Sequence, residues 1–547
     1  MNYKSLMLLL MAAGATSPLM AQSAMDAMSL GRQDMKGTAR FMSMGGAFGA
    51  LGGDLTTLSQ NPAGIGVYRN NEVGLTVDLD FQSALSSSAA GNYRTNQTKF
   101  LLNNIGGVLT LRLPSSAVPN LNFGFTYNKT ASFNRSYSGS LGPIQQSMTN
   151  WMAGVSNSEG VTVGDVTTTD FFDPYNPNDG GYAAPWISIL GYDSYLINPE
   201  GDPDSPIWKG QFGDGTTGEA IYNINEKGGV DSFNIAIGGN FGNVVYWGMD
   251  FDITSLNYTR NAYYSESLDN AYVESDQGVQ QTSSVWSINN YYNMQGTGFA
   301  YKLGLIFRPI QEFRVGVAFH TPTYYNLTQT FGANTTYSYN GEIANSQYTN
   351  NDMLAYNDLR YRSPWHVIVS AAGVIGNRLI ISADYEWTQT SKMHFKDPAY
   401  LYNSYYNPGL PLDYNSYYYV NEDISTYYKN QNTLRVGAEF RVTNKFSLRA
   451  GYANVSSPVH SATAEGHEDI YTSGTMADYS FDNTTNYYTA GLGYRTGGFY
   501  ADLAYVHKQQ SAKWHAFPSD PSSSVKAPSA DVNFTSNQVV LSVGYKF

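Results

Sequence analysis

The sequence contains no cysteine, which removes disulfides, thiolate zinc sites and cysteine nucleophiles. Charge is scarce: Asp, Glu, Lys and Arg make up 14% of the 547 residues, against about 25% in an average globular protein. Mean hydropathy is −0.34, and nothing resembles the roughly 20-residue apolar runs of a helical membrane bundle. The net charge of −13 excludes a basic nucleic-acid footprint. What is abundant is aromatic and small: 45 Tyr, 26 Phe, 8 Trp and 53 Gly. Few charges, many aromatics and no long apolar run fit a transmembrane β-barrel, whose strands alternate apolar and polar residues.

The N-terminus reads as an address. Lys4 precedes a short apolar stretch, Ser5 to Ala13, and Leu19-Met20-Ala21 puts a small residue before a cut that leaves Gln22 first. That is a secretory signal over 1–21, too short to span a membrane.

Period-two alternation then recurs along the chain. Val73, Leu75, Val77, Leu79 and Phe81 alternate with Gly74, Thr76, Asp78 and Asp80. Trp247, Met249, Phe251 and Ile253 alternate with Gly248, Asp250 and Asp252. The last residues do the same, Val539, Leu541, Val543, Tyr545 and Phe547 against Val540, Ser542, Gly544 and Lys546. The polar face is rich in Gly, Ala, Ser and Thr, as suits a crowded lumen. The pattern predicts fourteen strands, at 72–84, 98–113, 120–137, 229–241, 243–264, 283–308, 312–335, 358–375, 378–395, 425–442, 445–460, 485–495, 498–512 and 533–547. Connections alternate between short (such as Pro309–Gln311, Gly376-Asn377 and Thr496-Gly497) and long (near 85–97, 138–228, 265–282, 336–357, 396–424, 461–484 and 513–532). Short periplasmic turns and long external loops are the expected asymmetry, and place both barrel ends in the periplasm. The expected fold is therefore all-β: a 14-stranded antiparallel transmembrane barrel over 72–547 in a Gram-negative-type outer membrane.

Residues 22–71 do not alternate. They hold Met44-Gly45-Gly46-Ala47-Phe48, then Asp54 before a short helical turn over Leu55–Ser59, then Asn61-Pro62-Ala63-Gly64. The segment is too small for a core of its own and reads as a Gly-rich plug inside the barrel. G-x-A-R (Gly37 to Arg40), M-G-G-A-F, the Asp54 turn and N-P-A-G together resemble the hatch of the FadL/TodX family of outer-membrane transporters. The resemblance implies passive uptake of long-chain fatty acids or other hydrophobic small molecules: capture on external loops, an inner pocket, hatch movement and a lateral opening in the wall at a kinked third strand. It makes Gly45, Gly46, Asp54, Asn61, Pro62 and Ala63 the hatch and gating residues. In this chain the third strand alternates cleanly up to Tyr127 and breaks at Asn128-Lys129-Thr130, the expected lateral opening. Lys129 falls on the lipid-facing register, where a cation is costly unless the strand kinks or the side chain snorkels. The terminal Phe547 resembles the signal that barrel-assembly machinery reads.

Asp78, Asp80, Arg112, Asp250, Asp252, Lys302, Arg308, Arg314, Asp384, Glu386, Arg435, Glu439, Arg441 and Arg449 fall on inward registers. They are expected to form a cross-strand network that stiffens the wall and holds the hatch, with a ligand carboxylate as the alternative partner. The Tyr- and Asn-rich loop segments Tyr402–Asn407 and Tyr417–Tyr419 offer an amphipathic surface. Seven histidines permit a haem or porphyrin receptor without pointing to it, and a general porin is the other alternative. His460, His467, Glu468 and Asp469 match no standard metal spacing. No Ser–His pair with an orienting third group is legible, so the expectation is a non-enzyme without cofactor or metal. Its expected partners are a fatty-acid-like molecule and membrane lipid, with no nucleic acid, and the barrel is expected to be a monomer.

Overall fold

The computed structural model describes residues 23–176, 184–275, 278–340, 345–376, 378–398, 415–472, 474–519, 521 and 525–547. The expected leader 1–21, Asn377 and the Tyr402–Asn407 segment lie outside these.

Fourteen antiparallel strands close into a barrel. They are β1 (Glu72–Ser88), β2 (Gly91–Arg112), β3 (Asn120–Ser132 and Arg135–Leu141), β4 (Thr217–Phe241), β5 (Val245–Ser275), β6 (Gly278–Ile310) and β7 (Phe313–His320 and Tyr324–Tyr339). They continue with β8 (Ala355–Arg362 and His366–Ile375), β9 (Leu379–Thr388 and His394–Lys396), β10 (Gln431–Arg441), β11 (Phe446–Val455), β12 (Tyr479–Thr496), β13 (Phe499–His515) and β14 (Ser529–Lys546). β1 pairs β14 from Glu72↔Lys546 to Ser87↔Asp531, which shuts the seam and leaves no sheet edge there. Among the described residues no helix is long and apolar enough to cross a membrane, a statement that leaves strand crossing untouched.

Alternation decides which side chains meet lipid. Phe233, Met249, Ile253, Phe299, Leu303, Leu305, Val317 and Leu541 are exposed on the outer face, while their neighbours Asp250, Asp252, Lys302 and Ser542 are buried in the lumen. An outward apolar band over a polar interior is the physical signature of a transmembrane barrel.

The fourteen expected strands are all present, but several run far past their expected ends. β1 and β2 stay paired to Ser88↔Gly91, and β5 and β6 to Ser275↔Gly278. Over Leu85–Ser88 and 91–97, and over 265–275 and 278–282, the expected loops are therefore strand. β5 has 31 residues and β6 has 33, where about 9–11 cross a bilayer. Above the bilayer both faces are wetted or covered by loops, so apolar alternation vanishes while the ladder continues. The expected strand 425–442 begins late, at Gln431, because Tyr418–Tyr427 forms a helix.

The 138–228 connection is also smaller than expected, since β3 reaches Leu141 and β4 starts at Thr217. Between them lie helices Met148–Glu159, Val163–Val166 and Trp186–Asp193 and a hairpin, Ile197–Asp202 with Ser205–Gly210. Ser147 caps the first helix by accepting from Thr149 N. The buried Glu266 of β5 accepts from Met148 N at 2.8 Å and from the Tyr264 hydroxyl at 2.7 Å. Trp186 packs 5.2 Å from the Phe331 ring of β7. These contacts seat the connection as a folded cap on the long-loop ends of β5–β7.

The N-terminal segment lies inside the barrel, and the wall is shaped for it. A Cβ on Gly248 would strike Pro62 O, one on Gly304 the Asn61 amide, one on Gly437 Met44 O, and one on Gly451 Gly45 N. Inward-facing glycines let two backbones touch where any side chain would hold them apart. Gly248→Val and Gly451→Val are thus expected to leave a heat-resistant barrel on electrophoresis while raising small-solute flux in a liposome-swelling assay at least several-fold. Unchanged flux in both variants would refute this docking.

Candidate functional site

The segment begins with a helix, Ala24–Gly31, whose Ser23 and Asp26 form a capping box. Tyr361 of β8 donates to Ala27 O at 2.7 Å and fixes that helix to the wall. A short helix, Ala39–Ser43, follows, capped by Thr38, whose hydroxyl accepts from Phe41 N. Gly45 and Gly46 then take φ of +62° and +75°, left-handed values that side chains resist. They turn the chain against Tyr452 of β11.

Asp54 is buried and accepts from the Thr38 hydroxyl at 2.8 Å and from Thr56 N at 3.0 Å. The expected turn is real but starts at Thr57, running to Gln60. Asp54 therefore ties two stretches of the segment together instead of capping the helix directly. Asn61 donates to Gly49 O at 2.6 Å and accepts from Ala63 N at 3.1 Å, so it caps the 3₁₀ turn Pro62–Val67. Pro62 and Ala63 sit in that turn against Gly248 and Gly304. Five of the six expected residues thus shape turns that touch the wall or brace the segment, and Pro62 adds the pre-set first turn.

Ion pairs complete the attachment. Lys36 reaches Asp78 of β1 at 2.6 Å and Gln538 of β14 at 2.9 Å. Arg40 pairs with Glu439 at 2.9 Å, and Arg449 joins Glu439 at 2.8 Å and Asp502 at 2.6 Å. Asp384 accepts from Phe48 N and Gly49 N at 3.0 Å each. Arg314 donates to Leu51 O at 2.7 Å, and Lys302 bridges Asp252 at 2.6 Å and Ser59 at 2.9 Å. Of the inward charges read from the sequence, Asp78, Lys302, Arg314, Asp384 and Glu439 hold the segment, while Asp80, Asp250, Glu386 and Arg435 bond across the wall, so both halves of the network reading are present. Arg112 and Arg441 differ, being exposed at the short-turn rim, where Arg112 meets Asn70 at 2.9 Å.

The expected break in β3 is present. β2 and β3 pair only from Arg112↔Asn120 to Asn104↔Asn128. Beyond Asn128, β2 pairs with β1 alone and β3 with β4 alone. A bulge at Thr130 shifts the register between Lys129↔Asp231 and Ala131↔Val230, and Phe133 and Tyr137 turn into the core. Lys129 stays outward, but not as a lone cation: Asp231 pairs with it at 2.7 Å. The Tyr127 hydroxyl donates to the same carboxylate at 2.6 Å.

The backbone that β2 leaves unpaired is met from inside. Asp34 N donates to Thr130 O and Ser132 N donates to the Asp34 carboxylate, both at 2.9 Å. Arg32 donates to Ser132 O at 2.9 Å, and Lys508 of β13 holds the other Asp34 oxygen at 2.6 Å. Burial alone would push the Asp34 carboxyl up; the Lys508 and Arg32 charges and these hydrogen bonds outweigh it and hold it well below the usual carboxylate range. The sequence reading missed Arg32, Asp34, Lys36 and Lys508. Arg32, Asp34 and Lys36 alternate ahead of the Gly-rich run, a weak signal, while Lys508 had none.

Two cavities flank this clamp. One of about 130 Å³ lies in the lumen and is lined by Leu30, Met35, Phe41, Lys302, His320 and Arg435, among others. A smaller one of about 50 Å³ lies among residues of β1 and β12–β14, such as Asp80, Tyr487, Gln510 and Gln538, and reaches the wall break at Thr95 and Gln97 of β2 and at Ser132, Asn134, Arg135 and Ser136. Asp34, Met35 and Lys36 line both, so this tripeptide is the partition between them. Register places His320 opposite His366, the two rings tilted with centroids 5.9 Å apart. Both are engaged, His320 with Gln60 O at 2.8 Å and His366 with Glu386 at 2.9 Å. No cluster of three His, Cys, Asp or Glu suited to a metal occurs among the described residues. Asn71 and Phe547 exchange backbone hydrogen bonds at 3.1 Å, leaving the Phe547 ring exposed on the outer rim.

No protein-family model and no curated protein matches the chain by sequence. Solved structures match by shape. The deltaS2 mutant of the TodX monoaromatic hydrocarbon channel aligns over 94% of this chain and 100% of its own, at 12% identity and a TM-score of 0.51. A Pseudomonas aeruginosa FadL homologue (14% identity, 94% and 100% covered) and the Pseudomonas putida toluene transporter TodX (12%, 94% and 99%) overlay more loosely, at 0.49 and 0.48. The chain has the FadL/TodX-type fold, a fourteen-stranded outer-membrane β-barrel.

The Asp34 clamp yields a pH expectation. A carboxyl with a lowered folded pKa contributes stability above the unfolded value of about 4 and loses it only as pH falls through the folded value. Hydrogen-exchange protection of the Ser132 amide, which donates to the Asp34 carboxylate, should therefore be the same at pH 8 and pH 5. Asp34→Ala should abolish it at both, and persistent protection in the variant would disprove the clamp.

Proposed function

We propose that this protein is a passive outer-membrane transporter for hydrophobic small molecules, of the FadL/TodX type, in which residues 22–71 act as the hatch. The single observation that carries the reading is the tripeptide Asp34–Lys36, which separates one lumen cavity from a second that reaches the place where the wall ladder between β2 and β3 lapses. A solute moving from lumen to lipid at that break never enters bulk water, which spares about 0.8 kcal/mol for each CH₂ it would otherwise expose. Asn128, Lys129 and Thr130 frame the opening on β3. Gly45, Gly46, Asp54, Asn61, Pro62 and Ala63 keep the hatch seated while the Arg32–Lys36 stretch moves. A leader over 1–21 and the Phe547 terminus would serve export and barrel assembly.

The lumen cavity is lined by polar groups as well as apolar ones, which suits an amphipathic cargo with a hydrocarbon body. Lys302 pairs with Asp252 and Arg435 Nη2 with Glu386, while Arg435 Nη1 is buried at the cavity without a partner, a donor that an acidic or polar head could meet. His320 and His366 are both engaged, so neither offers a free haem ligand at this cavity.

The test uses the absence of native cysteine. Thr95 and Ser138 face each other across the break, their hydroxyls 3.3 Å apart. The Thr95→Cys/Ser138→Cys protein, oxidised, is expected to lose most uptake of a radiolabelled hydrophobe such as toluene or oleate, and to recover it on reduction. Solute leakage should not change. Full uptake by the cross-linked barrel would overturn the lateral route.

A further inference from the structure

The outer face of β4–β7 changes character above the apolar band. Outward residues there form two cross-strand rows. The lower is Asn225, Asn261, Tyr291 and Gly332; the upper is Asn223, Tyr263, Asn289 and Asn334. The ledge Tyr348–Leu354 overhangs them, and the groove between has a volume of about 570 Å³, the size of a ligand site. Gly332 gives the groove depth, because a Cβ there would press Leu354 Cδ2 at 3.0 Å.

The chemistry of this face is uniform. Each Asn amide carries two donors and an acceptor, the complement of neighbouring hydroxyls on a sugar ring. Tyr263 and Tyr291 place flat, partly exposed rings among them, which stack on sugar C–H faces. Within the protein, the side-chain amides of Asn223, Asn261, Asn289 and Asn334 have no hydrogen-bond partner among the described residues, and Asn225 Oδ1 is buried without one. No Lys or Arg lines the groove, and its one charge is Asp352. A phosphate-bearing headgroup therefore does not match it, whereas an uncharged polyhydroxylated chain does.

Position selects the source. Ile253 and Phe299, a register pair, are the last large apolar residues of the band on β5 and β6. Asn261 lies eight positions farther along β5 than Ile253, about 27 Å of strand, or about 20 Å of height at a tilt near 40°. The grid faces sideways, into the layer just above the lipid headgroups. In an outer membrane that layer is filled by the sugar chains of glycolipids anchored in the same leaflet.

We propose that the outward face of β4–β7 under the Tyr348–Leu354 ledge is a binding site for the polysaccharide chain of an outer-leaflet glycolipid. The inference needs only a barrel in an outer membrane and is independent of what the lumen carries.

The test uses the full-length protein in nanodiscs, with lipopolysaccharide extracted from the cells of origin as probe, either intact or stripped to its lipid anchor by mild acid. Asn261→Leu/Asn289→Leu removes the amides, and Gly332→Trp fills the groove by a separate route. Wild type is expected to bind intact lipopolysaccharide at least tenfold more tightly than either variant, with no such difference for the sugar-free anchor. Toluene uptake should be unaltered. The proposal fails if wild type and both variants bind the intact glycolipid equally. It also fails if the sugar-free anchor binds as well as the intact molecule, or if dextran competes as well as the released native chain.

Discussion

A backbone amide left without a partner in hydrocarbon costs several kcal/mol, and this constraint organises the molecule. It forces the sheet to close at β1–β14. It forbids a simple slot in the wall, so where β2 and β3 part company, something else must satisfy the exposed backbone. Arg32 and Asp34 do so from the lumen. The interruption in the wall and the fixation of the N-terminal segment are one set of hydrogen bonds. Any motion that frees the segment near Asp34 also strips the edge of β3, which couples position inside the barrel to the state of its side.

The second constraint is steric. A barrel of this size would hold water unless filled, and the filling here is mostly backbone and small side chains. Glycines on both surfaces permit that closeness, as between Gly45 and Gly451 or between Pro62 and Gly248. Charge then supplies specificity: Lys36 and Arg40 reach out to wall partners, while Arg314, Asp384 and Lys302 reach in. Buried pairs of this kind contribute little when intact but are costly to break, so they fix one seating of the segment.

The membrane-crossing parts of the strands were legible because lipid on one side and a crowded lumen on the other impose a strict period of two. That period stops where the bilayer stops, so Leu85–Ser88 and Leu268–Ser275 were taken for loop although their ladder runs on. The break at Asn128–Thr130 was legible because Lys129 violated the lipid face. What satisfies it was not, because Asp231 lies about a hundred positions away and contact at that separation leaves no local pattern. The turn-forming residues Gly45, Gly46, Asn61 and Pro62 stood out through their conformational demands. Lys508, which completes the Asp34 clamp, reads on its own as an ordinary strand lysine.

Lys36 touches Asp78 on the first strand and Gln538 on the last, and Ala39 N donates to Ser542, which itself meets Thr76 across the same junction. The N-terminal segment therefore bridges the join between the two ends of the barrel. Lys36 thus reads both sides of the closing join at once, so the seating of the segment and the register in which the cylinder shuts are one and the same fit.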